Sequence, residues 1–270
     1  MLKKRVSYLG SMVVTVGLIF PFSAVNAADP SPTPSSSPVA TTDPNAFDTT
    51  EVVKKAKAFG CKLKVKGNCA NKKFPKNFDF KSMDLTGMNF SGADLTGADF
   101  SEATLDKVNF SGANLTKADL SDVQSAKGAN FTNASLREAT LDSGDFSKAI
   151  FNRVKASRAI LTDAIFTGAT GANADFSYAE ISSANFEQSN FKNANFSYTT
   201  GIDTQFGDAQ LVGANFTKSK ITSPDFSGAN LNSSKMINST IREADLDSAN
   251  YCGALMWDGF YPDSDECENA

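Results

Sequence analysis

The sequence predicts a four-sided solenoid, and two observations carry this prediction. From Phe80 to Met256 a large apolar residue recurs every five residues, with a small residue, most often Ala, two places before it. When this repeat is wrapped at twenty residues, the large positions fall into four columns of similar side chains, whereas a wrap of fifteen mixes them. Because side chains of equal size fill the layers of a stacked repeat evenly, we expect coils of four units each.

The five-residue register has one predicted interruption. It runs from Phe80 to Leu120, takes one extra residue within Ser121–Asn130, and continues from Phe131 to Met256. One column of the wrap then consists of Phe146, Phe166, Phe186, Phe206, Phe226 and Leu246. Three large positions depart from the pattern, namely Ala156, Gly171 and Gly201. We expect a locally thinned core at these positions; the alternative is a cavity or bend that a partner uses.

The repeat unit resembles that of the pentapeptide-repeat family, whose consensus is approximately A-(D/N)-L-x-x. Residues 98–102 (ADFSE) and 214–218 (ANFTK) match it, and the resemblance covers about two-thirds of the chain. It implies an all-β solenoid, a right-handed quadrilateral β-helix with Leu, Phe and Ala pointing inward. About nine coils at an inter-strand spacing of about 4.8 Å give a rod roughly 40 Å long.

The first 47 residues predict export. Residues 1–27 are typical of a secretory signal peptide, with basic residues at 3–5, an apolar core at 12–22 and small residues before a cleavage point after Ala27. The alternative is an uncleaved membrane anchor, although the apolar run is short for a span of about 20 residues. Residues 28–47, rich in Pro, Ser and Thr, predict a disordered linker. We therefore expect an exported protein of the periplasm, the thylakoid lumen or the exterior, with no integral membrane segment in the mature chain.

The repeat, residues 78–256, is predicted to have a cap at each end, because open solenoid ends expose core and unpaired backbone groups. Residues 48–77 are the N-terminal cap: a short helix over Asp48–Phe59, stopped by Gly60, then strand-like alternation over Lys62–Lys66 and a turn at Gly67–Asn68. Residues 257–270 are the C-terminal cap and acidic tail. With Cys252 and Met256 before them, they resemble the spaced Cys…Met-Pro-Asp-Gly…Cys ending of bacterial family members: Asp258, Gly259 and Cys267 keep the pattern, and Trp257 stands where Pro is usual.

Four cysteines lie in two close pairs, one at each end of the repeat: Cys61 and Cys69, and Cys252 and Cys267. An exported chain meets an oxidising compartment, so disulfides are expected. Two of the three possible pairings would join opposite ends of the rod, whereas a disulfide needs Cα atoms within about 7 Å. This leaves Cys61–Cys69 and Cys252–Cys267; the functional alternative is a redox-regulated switch.

Two features are candidates for partner contact. Residues 28–77 hold nine Lys against four acidic residues in a chain of net charge −4. This basic segment is either a solvated surface or a contact for an anionic partner or lipid headgroups. The candidate lysines are Lys54, Lys55, Lys57, Lys62, Lys64 and Lys66. The second candidate is the interruption around Gln124, which is either a corner bulge or a contact point.

The composition argues against catalysis. With no His, neither a Ser-His-Asp nor a Cys-His arrangement can form, and no His-containing zinc or haem site either. The many Asp residues precede large positions, where the repeat generally has Asp or Asn, so we interpret them as structural. We expect no enzyme activity, cofactor or metal, and no nucleic-acid partner.

The leading hypothesis is a non-catalytic rod that binds or scaffolds an unidentified protein. In this it resembles the exported members of the family. The alternative is an acidic DNA mimic, like cytoplasmic members that protect gyrase from quinolones, which the signal peptide disfavours.

Overall fold

The computed structural model of the chain describes residues 53–54 and 60–257. The chain divides into two units, Met1–Ala46 and Phe47–Ala270, and all described residues belong to the second. The predicted signal peptide and linker, most of the predicted helix over 48–59, and the tail from residue 258 lie outside the described residues. Val53 and Lys54 have helical geometry. Within the described part, no helix is both long enough and apolar enough to cross a bilayer.

Parallel bridges join successive coils of the repeat. Each bridge pairs the residue before a large position with its counterpart one coil later, as for Asp99 with Asp119 and Asn195 with Asn215. Bridges recur every five residues and over most of the chain join residues twenty apart, so each coil carries four of them. The predicted wrap of twenty residues is therefore confirmed, and the described chain is a β-helix built from single bridges and short strands.

Hydrogen bonding within one unit, residues 129–133, explains the residue types of the repeat. Four of its five backbone N–H groups donate to backbone carbonyls: two in the next coil, one in the preceding coil and one within its own turn. The fifth, at Thr132, donates to the side-chain Oδ1 of Asn130 at 3.0 Å. Because a buried N–H without a partner costs about 1–3 kcal/mol, Asn or Asp at the bridge position completes the bonding of the unit.

The last residue of almost every unit has a positive φ, as the third position of a type II turn requires. Most of these residues are not glycine; Asn133, for example, has φ 59°. At Gly213 a side chain meets a further obstacle, because an added Cβ would lie 2.3 Å from Oδ1 of Asn193 in the preceding coil. The repeat therefore accepts many side chains at the turn, and glycine where a neighbouring amide lies over it.

A second interruption lies before the predicted start of the register. The bridge from Lys73 reaches Asp94, 21 residues on, whereas the bridge from Asp79 reaches Asp99, 20 residues on. One extra residue therefore lies between Lys73 and Asp79, beside Pro75. The bridge pattern thus extends into residues 48–77, the segment assigned to the N-terminal cap from the sequence. The register taken from Phe80 onward could not show this, because it begins after the extra residue.

The expected strand over Lys62–Lys66 is wrong. The chain turns at Val65 and Lys66, two residues earlier than predicted, and Val65 is 48% exposed. Gly67 is buried rather than part of the turn, and an added Cβ there would lie 2.1 Å from the carbonyl oxygen of Lys62. The alternation of Lys with apolar residues follows the five-residue unit here and not the two-residue period of a strand.

Three strands form where the turns of the last coils open. They are β1 (Thr200–Ile202), β2 (Lys220–Thr222) and β3 (Thr240–Arg242), a parallel sheet in the order β1-β2-β3. After β2 the usual turn hydrogen bond cannot form, because Pro224 has no N–H. After β1, Thr204 instead donates its hydroxyl to the carbonyl oxygen of Ile181 at 2.8 Å. We call the side of the rod that contains this sheet the β1–β3 side. Its bridge residues are Asp79, Asp99, Asp119, Thr140, Ile160, Glu180, Thr200, Lys220 and Thr240.

The core consists of stacked side chains, as the columns predicted. Phe186 lies fully buried between Phe166 and Phe206, with ring centroids 4.8 and 5.2 Å apart and interplanar angles of 4° and 12°. Rings of neighbouring columns meet edge to face, as Phe186 does with Phe191 at 5.2 Å. Equal spacing along the column and edge contacts across it fill the interior with apolar surface.

The positions that lack a large residue are filled by their neighbours. At Gly171 an added Cβ would lie 2.0 Å from Cε1 of Phe191, so that ring occupies the missing side chain's space. At Gly201 the added Cβ would meet Ile181 and Thr204, each at 2.8 Å. Ala156, at the third of these positions, is fully buried. The interior at the two glycines therefore contains close neighbours and not a cavity.

Candidate interaction surfaces

The two ends of the described solenoid carry the cysteines. Cys61 and Cys69 form a disulfide with Cα atoms 4.9 Å apart, and both residues are buried. Cys252 is also disulfide-bonded. Its predicted partner, Cys267, lies outside the described residues. The pairing of Cys61 with Cys69 confirms that prediction and fixes the N-terminal turn to the first bridged coil.

The lysines predicted as a contact site lie partly within the described residues. Lys54, Lys62, Lys64 and Lys66 are exposed, whereas Lys55 and Lys57 lie outside the described part. A shallow depression of about 260 Å³ opens beside them, lined by Val53, Cys61, Lys62, Leu63 and Lys64. The structure thus places Lys62 and Lys64 at one depression next to the disulfide.

Gln124 is the extra residue predicted within Ser121–Asn130. Its N–H donates to the carbonyl of Ala103 at 3.1 Å, while the carbonyl of Ser125 accepts from Leu105 at 2.6 Å. At a regular bridge, such as that of Asn130, a single residue both donates its N–H to the preceding coil and accepts from it through its carbonyl. Gln124 and Ser125 share these two hydrogen bonds, so together they form a β-bulge opposite Thr104. The Gln124 side chain is exposed. The corner-bulge interpretation of this site is confirmed by the geometry, and its use as a contact stays a prediction.

The amino-terminal half of the β1–β3 side is acidic. Burial raises the pKa of the Asp142 carboxyl, and the nearby carboxylates of Asp122, Asp119 and Asp163 raise it further. At Asp94 the hydroxyl and N–H of Thr96 donate to Oδ1, and these hydrogen bonds hold the pKa below its ordinary value. Asp142 is a turn residue, whereas Asp94 is a bridge residue in a different column, with Lys73 and Asn114, and their surroundings shift the two pKa values in opposite directions.

An exposed ladder of cations and tyrosines lies along the corner that precedes the β1–β3 side. The rings of Tyr178 and Tyr198 stack with centroids 4.6 Å apart and an interplanar angle of 9°. The Arg158 guanidinium lies 5.4 Å from the Tyr178 ring centroid, and Lys218 Nζ lies 5.3 Å from that of Tyr198. Lys218 also donates to the Tyr198 hydroxyl at 3.2 Å. We call these four residues the tyrosine corner.

The tyrosine corner was not predicted from the sequence. Its signal was nevertheless present, since Arg158, Tyr178, Tyr198 and Lys218 are each twenty residues apart, which is the length of one coil. Tyr178 is 52% and Tyr198 39% exposed, and both have positive φ. The large positions predict the core columns alone, whereas the ladder lies in a column of turn residues.

Next to the tyrosine corner, the open turns create a shallow depression over the sheet. It measures about 390 Å³ and is lined by Glu180, Ser182, Thr200, Gly201, Ile202, Lys220, Thr222, Thr240 and Arg242. Ile202 is 57% exposed. Charged residues lie at both ends of the lining, with Glu180 at one end and Arg242 at the other. This surface combines cations, hydroxyls and one exposed aliphatic side chain.

Among the described residues, no group of three or more His, Cys, Asp or Glu side chains is placed to hold a metal ion. Bridge-position carboxylates instead accept local hydrogen bonds, as Asp99 does from the N–H and hydroxyl of Ser101 at 2.8 and 2.7 Å. The surfaces described here can bind through charge, hydroxyls and aromatic edges.

These features define a class of protein: a β-helical repeat whose inward positions are structural and whose outward columns carry the chemistry. Two sequence models described as pentapeptide repeats match the chain, one at residues 79–122, 149–193, 172–200 and 179–217, the other at 126–170. Together they cover half of the chain. The protein therefore belongs to the pentapeptide-repeat family. Proteins of this family are in general structural or binding proteins.

Solved structures of pentapeptide-repeat proteins align with this chain at low sequence identity. HetL of the cyanobacterium Nostoc sp. strain PCC 7120, a protein involved in heterocyst differentiation regulation, is 20% identical over 72% of this chain and 91% of its own, with a TM-score of 0.27. Full-length QnrB1, a plasmid-mediated fluoroquinolone resistance protein, is 18% identical over 75% and 94%, with a TM-score of 0.28.

A third solved protein comes from the thylakoid lumen of Arabidopsis thaliana. It is 32% identical over 43% of this chain and 67% of its own, with a TM-score of 0.21. Among curated proteins, none matches the sequence significantly. Family membership therefore rests on the repeat models and on the bridge pattern.

Proposed function

We propose that this protein is an exported, non-catalytic rod that binds a protein partner in the cell envelope or in a lumen. In this proposal the rod has about nine right-handed coils with a cap at each end. Export is supported by the signal-peptide pattern of residues 1–27, and the expected oxidising compartment agrees with the disulfide between Cys61 and Cys69.

The tyrosine corner is the observation that carries the binding proposal. Tyr and Arg are enriched at protein interfaces and dominate their binding energy, because they supply large contact area with polar ends. Here two half-exposed Tyr side chains and two cations are aligned on consecutive coils. The rigid backbone beneath them holds the four groups in register before any partner arrives, which lowers the ordering cost of binding.

Two further contacts belong to the proposal. The exposed lysines at the N-terminal depression, Lys62 and Lys64, offer positive charge to an anionic partner or to lipid headgroups. The exposed side chain of Gln124 marks the bulge that interrupts the regular surface. Both lie at a distance along the chain from the tyrosine corner, so each can be removed without altering it.

The binding proposal is tested by capture with the mature chain, residues 28–270, from the envelope fraction of its own cells. We expect a protein to be retained by the wild-type chain and lost from a Tyr178→Ala/Tyr198→Ala double variant. A Tyr178→Phe/Tyr198→Phe variant, which keeps the stack and removes only the hydroxyl groups, separates the contribution of ring area from that of the hydroxyls. If no protein is retained by the wild-type chain, the binding function is wrong. If the partner is retained equally by the double variant, the tyrosine corner is not the contact.

Export is tested separately by the mass of the protein isolated from fractionated cells. We expect a chain that begins at Ala28 and is found outside the cytoplasm. A full-length chain in the cytoplasmic fraction contradicts export, and a full-length chain in the membrane fraction supports the anchor alternative.

A second candidate function is acidic DNA mimicry toward a topoisomerase. It is favoured by the column of Asp79, Asp99 and Asp119, whose bridges place a carboxylate on consecutive coils of one side. The predicted signal peptide disfavours it, because the target is cytoplasmic. We expect no effect of the mature chain on gyrase supercoiling in vitro; inhibition or protection that is lost on replacing these three residues by Asn would support the alternative.

A further inference from the structure

We propose that the tyrosine corner and the adjoining sheet of the β1–β3 side bind an extended acidic polypeptide segment. This inference rests on the proposed protein-binding function and adds the chemistry of the partner. It follows from three properties of the surface: its local positive charge, the orientation of its rings and the dispersion of its apolar side chains.

The local charge of this surface is opposite to that of the whole chain. Six exposed cations lie on the tyrosine corner, the sheet and the side that precedes the corner: Lys155, Arg158, Lys218, Lys220, Lys235 and Arg242. The same area holds the carboxylates Asp175 and Glu180, and Asp203 and Glu243 directly follow β1 and β3. With all four counted, its net charge is +2, whereas the chain carries −4.

Among the described residues, none of these six cations forms an ion pair with a carboxylate. Ion pairs among the described residues join Lys81 to Glu102 and Lys117 to Glu138, and both involve the amino-terminal half of the repeat. Asp175, one of the carboxylates of this area, accepts hydrogen bonds from Asn195 and from the N–H of Ser177. Positive charge on the corner and sheet thus favours a partner that supplies carboxylates.

The orientation of the rings argues against a nucleic-acid partner. Binding of single strands depends on bases that stack on the faces of aromatic side chains. One face of Tyr178 is covered by Arg158 and the other by Tyr198, and the second face of Tyr198 is covered by Lys218. Only the ring edges and hydroxyl groups face the solvent, and these suit hydrogen bonds and side-chain packing against a polypeptide.

The dispersion of the apolar side chains argues against a lipid surface. Ile160, Ile202 and Ile237 are 42%, 57% and 41% exposed, but they lie on different coils with polar residues between them. A membrane-binding face needs a continuous apolar strip that can enter the acyl region. One exposed Ile beside the depression instead fits one apolar side chain of a peptide, with its carboxylates near Lys220 and Arg242.

The length of the surface sets the length of the segment. From Arg158 to Lys218 the corner spans three coil steps of about 4.8 Å, or roughly 14 Å. An extended peptide rises about 3.3 Å per residue, so about four residues span the corner, and a segment of about ten residues extends past both of its ends. The probe is therefore a fluorescein-labelled peptide of about ten residues in which Glu alternates with Ser and Leu. Its counterpart has Gln in place of each Glu.

The experiment measures fluorescence anisotropy of this peptide with the mature chain at low salt. We expect saturable binding of the Glu peptide that weakens as salt is raised, and at least about tenfold weaker binding of the Gln peptide. The corner variant is Lys218→Gln/Lys220→Gln/Arg242→Gln. Its matched control is Lys107→Gln/Lys127→Gln/Lys148→Gln, which removes the same charge from three exposed lysines outside every proposed contact. Thermal melting confirms that both variants are folded.

The corner variant should lose at least about tenfold in affinity and the matched control less than about threefold, since the contacts are local. Equal losses in both variants would show general attraction to positive charge and overturn the proposal. So would tighter binding of a single-stranded oligonucleotide, or of vesicles containing phosphatidylserine, than of the Glu peptide. If the captured natural partner depends on Tyr178 and Tyr198 but its contacting segment is not acidic, this inference fails while the proposed function stands.

Discussion

The protein contains two kinds of ring stack with the same spacing and opposite surroundings. Phe166, Phe186 and Phe206 stack inside the coil at 4.8 and 5.2 Å, fully buried, and Tyr178 and Tyr198 stack outside it at 4.6 Å, about half exposed. Both stacks arise because the bridges place every twentieth residue above its predecessor. The difference teaches that the repeat aligns side chains everywhere, but burial decides whether the alignment stabilises the fold or presents a surface.

The largest effect is expected from a charge in the interior stack. Phe186→Asp removes a ring that contacts five other Phe rings and buries an unpaired carboxylate, so we expect a loss of at least about 4 kcal/mol in unfolding free energy. Urea denaturation followed by circular dichroism measures it. Phe186→Leu, which keeps an apolar group, should lose much less. Near-wild-type stability of the Asp variant would refute the interior position of this column.

A smaller loss is expected where a neighbour fills a missing side chain. Gly171→Ala places a Cβ in the space of the Phe191 ring, and overpacking of this kind costs about 1–3 kcal/mol. Shortening the neighbour should relieve the clash, so the Gly171→Ala/Phe191→Leu double variant should be less destabilised than the sum of the two single variants. Strict additivity of the losses would mean that the ring does not occupy this space.

Buried hydroxyls test how strictly the interior excludes polar atoms. Ser219 Oγ is buried without a hydrogen-bond partner, whereas the equivalent Ser189 Oγ donates to the carbonyl of Phe186 at 2.6 Å. We expect Ser219→Ala to raise the unfolding free energy by about 1 kcal/mol and Ser189→Ala to lower it by a similar amount. Thermal melting of the two variants measures both. Changes of the same sign would contradict the difference in hydrogen bonding.

The exterior stack should matter little for stability. Exposed cation–π pairs contribute about 0.5–1 kcal/mol each, so Tyr178→Ala/Tyr198→Ala, which removes two of them, should lower the unfolding free energy by about 1–2 kcal/mol. The same variant is expected to lose the partner. A loss as large as that of Phe186→Asp would place the tyrosine corner with the structural stacks and remove the contrast between the two.

The smallest effect concerns two carboxylates whose pKa values shift in opposite directions, Asp142 and Asp84. The raised pKa of Asp142 means that the folded state binds more protons than the unfolded one between pH 3.8 and that raised value, so this group lowers stability as pH rises through the window. Hydrogen bonds from Thr86 lower the pKa of Asp84, so its contribution is present above pH 3.8 and is lost as pH falls through the folded value.

The two pKa shifts therefore predict opposite effects on stability when each carboxylate is replaced by an amide. Asp142→Asn should be more stable than the wild-type chain at neutral pH by about 0.5 kcal/mol or less, since a partly exposed carboxylate is screened, and the gain should vanish below pH 3.8. Asp84→Asn should be less stable at neutral pH, with a similarly small difference that also vanishes in acid. Melting curves between neutral pH and pH 3 separate the two outcomes.

How much the sequence predicted depends on the column considered. The large and small positions are apolar and periodic, so the wrap, the filled columns and the extra residue near Gln124 could be predicted from them. The turn columns are chemically mixed, and the tyrosine corner lies in one of them. The alternation around Val65 matched a strand by its apolar period, but the backbone geometry of the five-residue unit prevailed. The extra residue beside Pro75 was missed because the register was read from Phe80.

By itself, the sequence determined the repeat, its four columns and the pairing of Cys61 with Cys69, because all three follow from periodic burial and chain length. Only the tertiary structure decided which outward residues become neighbours. Residues twenty apart meet on the surface through parallel bridges, and the opening of the last turns at Thr204 and Pro224 flattens one side into a sheet. Surface chemistry depends on these contacts between coils, and a residue's own sequence neighbours do not reveal them.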